Sequence, residues 1–196
     1  MTNKSSRAQQ ILETLAQQLE ASPGQRITTA ALARELGVSE AALYRHFPSK
    51  ARMFEALIEF IEETVFGLIS CILDEHATAE ARCEAILGVL LGFSARNPGL
   101  SRILIGDALT GENERLRTRI MQFYSRLETQ LKQVLREAEL KGELPVGNPS
   151  AASANLMLAA VEGRMNQFVR SGFSQSPLQR WEQQWDLLSV SLFPDH

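Results

Sequence analysis

The chain has 196 residues, 44% of them hydrophobic and 22% charged, and a formal net charge of −3. That length suits one compact chain or a small module on a larger body, and no apolar run reaches the roughly 18 residues of a membrane-spanning helix. Cys71 and Cys83 are too few and too poorly spaced for a disulfide framework or a zinc site, and the opening Met-Thr-Asn-Lys-Ser-Ser-Arg has no hydrophobic signal region, so a reducing cytoplasm is expected.

The first helix is expected from about Ser5 to Glu20, with Ile11, Leu12, Leu15, Ala16 and Leu19 as its apolar stripe. Ser22-Pro23-Gly24-Gln25 forms the loop that follows. From Thr28 to Lys50 the pattern is that of two short helices joined by a tight turn. Ile27, Leu32, Ala33 and Leu36 recur at helical spacing, Gly37 ends the first helix and Ser39 caps the second. The second helix, Glu40 to His46, buries Leu43 and turns Glu40, Ala41, Tyr44 and Arg45 outward. Small residues at the front of that face let a helix enter a major groove about 12 Å wide, while Tyr44, His46 and Lys50 reach toward phosphates. An ordinary αα-hairpin is the rival reading, and the three-residue Gly-Val-Ser turn with a small-then-basic outer face favours a helix-turn-helix. The candidate DNA-contacting residues are Thr28, Thr29, Ser39, Glu40, Ala41, Tyr44, Arg45, His46 and Lys50. Residues 1–55 carry 7 Lys+Arg against 5 Asp+Glu, the remainder 13 against 18, so a weakly basic head sits on an acidic body.

Pro48 stops the reading helix and Ser49 caps a long one from Lys50 to about His76, a strut between head and body with Phe54, Leu57, Ile58, Ile61, Val65, Leu68, Ile69 and Ile72 as its core stripe. Phe60 lies off that stripe, either half covered by the first helix or turned toward a partner. Residues 79–95 are apolar nearly all round and belong in the middle of the body. Asn97 and Pro98 open a short helix through Leu104, and Gly111 opens a long one to about Lys141 with Leu116, Ile120, Phe123, Leu127, Leu131 and Val134 inward. Its arginines, Arg115, Arg117, Arg119 and Arg126, read as a solubilising face rather than a nucleic-acid patch.

After the loop 142–149, two helices are expected, Ser150 to Arg170 and Pro177 to Leu192. Their large apolar residues, among them Met157, Val161, Phe168, Trp181, Trp185 and Leu188, suit a four-helix interface with a second copy; capping the monomer's own core is the alternative. No phosphate loop, dinucleotide turn or nucleophile elbow occurs, and His46, His76 and His196 form no metal-ligand spacing. No catalytic residue, metal or cofactor is expected. The fold class is all-α, a three-helix head over residues 1–55 with the helix-turn-helix at about 28–47, and a multi-helix dimerisation body over 56–196, about nine helices in all.

The segment Leu36-Gly37-Val38-Ser39 with Leu43-Tyr44-Arg45-His46-Phe47 and Lys50 resembles the DNA-binding domain of the TetR family of regulators. Within it, Arg26-Ile27-Thr28-Thr29-Ala30, Leu57-Ile58-Glu59-Phe60-Ile61-Glu62, Leu91-Gly92-Phe93 and Arg96-Asn97-Pro98-Gly99-Leu100 resemble the nucleoid occlusion branch. That resemblance implies a nucleoid-associated cytoplasmic homodimer, one or several dimers per palindromic chromosomal site, which disrupts polymers of the tubulin-like division protein FtsZ. It implies a partner contact at Phe60, Gly92, Arg96 and Asn97, with Leu68 standing where the branch has a basic residue. The rival function is a ligand-responsive TetR-type transcriptional repressor, for which the apolar central helix offers few convergent polar groups.

Overall fold

A computed structural model describes residues 6–193, so Ser5 and His196 lie outside it. Among the described residues there are nine α-helices and no strand: α1 (Arg7–Ala21), α2 (Thr29–Glu35), α3 (Glu40–His46), α4 (Lys50–Glu75), α5 (Ala79–Arg96), α6 (Pro98–Leu104), α7 (Glu114–Lys141), α8 (Ser150–Arg170) and α9 (Trp181–Leu192). A 3-10 turn, Asp107–Leu109, separates α6 from α7. The expected all-helical architecture is the one found.

Hydroxyl side chains start five of these helices, those at Ser39 and Ser49 as expected from the sequence. Ser6, Thr28 and Ser39 accept from the backbone N–H of Gln9, Ala31 and Ala42, and Ser49 and Thr78 do the same for Arg52 and Ala81. Each such cap contributes on the order of 1 kcal/mol. Gly37 ends α2 at φ +66°, and the paired bonds Gly37 N–H to Arg34 O and Val38 N–H to Ala33 O close the turn before α3.

The chain divides into two compact units. The first holds the residues up to Ile61 together with Asn97–Ile120, hence the helix-turn-helix, the first half of α4, α6 and the start of α7. Its core contains Ile11, Leu15, Leu19, Leu32, Leu43, Phe54, Ile58, Leu100, Ile103 and Leu116, all buried. Here α6 lies so close on α1 that a Cβ at Gly99 would stand 2.2 Å from the Ala16 carbonyl oxygen. Arg102, 1% exposed, fixes the same contact: its guanidinium donates to the carbonyls of Leu19, Ser22 and Gln25 and pairs with Asp107 at 2.5 Å. The Leu19 carbonyl in the last turn of α1 and two carbonyls of the segment that follows it are thereby met by an arginine.

The second unit holds Glu62–Arg96 and the residues from Met121 on. Cys83, Ile86, Leu87, Leu90, Leu91 and Phe93 of α5 are buried, as are Phe123, Leu127, Leu131 and Val134 of α7 and Met157, Val161 and Met165 of α8. Burial pushes the Cys83 thiol up to about 12, so it is an inert core group.

Two helix starts differ from the sequence expectation. Gly111 does not open α7; it sits at φ +75° just after the 3-10 turn, and Asn113 caps the helix by accepting from Arg115 N–H at 3.0 Å. The last helix begins at Trp181 rather than Pro177, because Arg180 adopts φ +62° and Arg164 binds the carbonyls of Ser176, Pro177 and Gln179 into a loop. The guanidinium thereby holds residues 176–179 as a turn ahead of the helix.

Candidate nucleic-acid interface

The helix-turn-helix leaves Glu40, Ala41, Tyr44, Arg45 and His46 exposed on α3 while Leu43 points into the core. The charge order along α3, Glu40 in the first turn and Arg45 and His46 in the last, agrees with the helix dipole. A polar chain crosses from α2 to α3: the Tyr44 hydroxyl donates to Thr29 Oγ1 at 3.4 Å, and the Thr29 hydroxyl donates to Glu40 Oε2 at 2.6 Å. Thr28 and Ser39 are occupied as helix caps, though each hydroxyl still has a proton to donate outward.

Lys50 is placed differently from the other candidates. Its ammonium lies 2.6 Å from Glu112 Oε1 and 5.5 Å from the Phe54 ring centre, so it is held inward rather than extended from the head. Arg26 reaches the same carboxylate at 3.4 Å and donates to the Gly111 carbonyl at 3.1 Å. The Glu112 side chain, 8% exposed, therefore ties down two cations that bracket the reader.

The remaining candidates fall on both units. Phe60 on α4, 48% exposed, and Asn97, at the N-cap position of α6, belong to the first. Gly92 and Arg96 on α5 belong to the second, where the Arg96 guanidinium folds back over the glycine to within 3.5 Å of where a Cβ would stand. Leu68 is partly exposed on α4.

The expected interface residues of α8 and α9 are spent elsewhere. Met157, Val161, Phe168, Trp181 and Trp185 are buried within the second unit and Leu188 is half-buried, so they cap the chain's own core. What those helices leave outward is the opposite face, with Leu156 at 50%, Leu187 at 76% and Val190 at 74% exposure beside the exposed Ala152, Ala159 and Gly163.

Residues 11–57 match the family described as bacterial regulatory proteins, tetR family, and residues 77–192 match the SlmA-like form of the tetracyclin repressor-like C-terminal domain. The chain is 56% identical over 189 residues to the nucleoid occlusion factor SlmA of Shewanella frigidimarina, covering 96% of each. To the protein of that name from Alteromonas mediterranea it is 57% identical over 182 residues, 93% of each.

The chain belongs to the SlmA family of nucleoid occlusion factors.

The family's TetR-type fold extends to distant regulators: the ketosteroid regulator KstR2 of Mycobacterium tuberculosis superposes with a TM-score of 0.77 at 17% identity, covering 100% of this chain and 98% of that one. Within the family assignment, three residues escaped sequence reasoning. Glu112 and Arg26 carry no signal beyond their charge, because their pairing joins positions 86 residues apart. Arg102 does carry one: it is a charge inside the apolar run Leu100–Leu104, and such a charge is tolerated only where carbonyls or a carboxylate meet it.

Proposed function

We propose that this protein binds palindromic chromosomal sites as a homodimer through α3, and that in the DNA-bound state it blocks assembly of FtsZ polymers over the nucleoid. The observation that carries this reading is identity of 55–57% with nucleoid occlusion factors across both the reader and the body. A family member with a DNA reader but another purpose would share the N-terminal segment and diverge in the body.

The DNA contacts are assigned to the exposed residues Thr28, Ser39, Glu40, Ala41, Tyr44, Arg45 and His46 and to the half-buried Thr29, with Lys50 joining once it leaves Glu112. Dimerisation is assigned to the outer stripe of α8, Ala152, Leu156, Ala159 and Gly163, together with Leu187 and Val190 of α9. Small residues at steps of three and four let a second copy of the helix approach closely, and the two flanking apolar side chains supply area that burial stabilises at about 25 cal/mol per Å². Phe60, Arg96 and Asn97 are assigned to the division protein; Gly92 is buried, and its part is to leave room for the Arg96 guanidinium that folds over it. None of these roles involves catalysis, and the protein acts at the nucleoid.

Selection of duplexes from a random library, followed by sedimentation of the selected complex, tests the reading. A two-fold symmetric motif bound by an even number of subunits supports it; a monomer with no duplex preference overturns it.

A further inference from the structure

We infer that Glu40 is a specificity-determining residue that reads the exocyclic amino group of a cytosine in each half-site. The inference rests on the proposed DNA-binding role and names what its reader recognises.

An acid in the first turn of α3 suits the helix dipole, but on the DNA-facing surface it also carries a cost. The head is only weakly basic, and a carboxylate next to phosphates lowers affinity for every sequence alike. Glu40 is exposed, and it is followed by the exposed Ala41, which adds no bulk between the helix and a groove floor. Its carboxylate is also oriented. Tyr44 donates to Thr29 and Thr29 donates to Glu40 Oε2, so every proton in the chain points toward the acid and one oxygen is already satisfied from the protein side. That support offsets part of the cost of bringing the carboxylate out of water against a base.

An ionised carboxylate only accepts hydrogen bonds. In the major groove guanine shows two acceptors, and thymine an acceptor and a methyl group; both repel it. Adenine offers an amino donor, but with the N7 acceptor beside it. Cytosine offers the N4 amino group alone, and it is the base a carboxylate matches without a second, opposed lone pair. In a two-fold pair of readers this places one such cytosine in each half of the palindrome.

The test compares motifs selected from a random duplex library by the full-length protein and by its Glu40→Gln variant, an exposed change that leaves the core untouched. The wild type should fix a symmetric cytosine pair. Glu40→Gln should relax that one position by about 5- to 150-fold and admit adenine there, since a glutamine amide matches adenine's N6 and N7 together. Its binding to unrelated duplex should become tighter through loss of a negative charge. An operator whose cytosines carry no 4-amino group should weaken the wild type and leave Glu40→Gln nearly indifferent. If both proteins select the same motif with the same discrimination, Glu40 does not read a base and the inference fails while DNA binding stands. If the wild type selects no motif, the DNA-binding reading itself fails.

Discussion

The Lys50 ammonium and the Glu112 carboxylate lie 2.6 Å apart, and Arg26 reaches the same carboxylate oxygen at 3.4 Å. A cation held in this way reaches a phosphate only by leaving its acid, so part of its attraction to DNA is already spent within the protein. Glu112→Gln should therefore tighten binding to duplex at low salt and steepen the dependence of log K on log salt by about 0.9 for each cation released. Fluorescence anisotropy titrations over a range of salt measure this. An unchanged slope would mean that neither cation reaches the backbone.

Gly99 allows α6 to lie against α1 with no side chain between them. Adding one methyl group would put it 2.2 Å from the Ala16 carbonyl oxygen and 3.0 Å from the Glu20 nitrogen, both backbone atoms that cannot rotate away. Gly99→Ala should cost about 1–3 kcal/mol or more, read as a lower midpoint in urea denaturation.

Arg102 should be equally intolerant of change. Replacing it by Met keeps volume but takes the guanidinium away from the Leu19, Ser22 and Gln25 carbonyls and from Asp107, with a loss on the order of 3 kcal/mol. Arg102→Lys keeps the charge without the planar fork and should recover only part of that loss. Thermal unfolding of the two variants separates charge from geometry.

These two contacts show where the sequence is legible and where it is not. Helix periodicity and caps located the reader closely, because Thr28, Gly37 and Ser39 act through neighbours a few residues away. The docking of α6 on α1 joins residues some 80 positions apart and depends on an absent side chain at Gly99, which no local pattern announces. The outward face of α8 and α9 is illegible for a related reason. Large apolar residues such as Trp181 and Trp185 look like an interface in a single sequence, yet they fill the chain's own core, and the face left outside is marked by small residues instead.

Glu162 on α8 supplies a pH signature. Burial, and secondly the nearby Glu128 carboxylate, raise its pKa above the ordinary value of 4.5. The folded chain thus holds this proton more tightly than the unfolded one, so the side chain's contribution is fully present below about 4.5 and is lost as pH rises through the raised folded value. Glu162→Gln should raise the melting temperature at neutral pH, with the difference from wild type shrinking as pH falls toward 4.5. A difference that is constant across that range would contradict the assignment.

The central claim is that this protein turns a chromosomal site into a local block on division. Light scattering of FtsZ assembling with GTP measures it directly, with the protein present and a duplex bearing its selected site either added or withheld. The scattering should fall sharply with protein and cognate duplex together and much less with protein and a scrambled duplex. Equal scattering in the two mixtures would contradict the account.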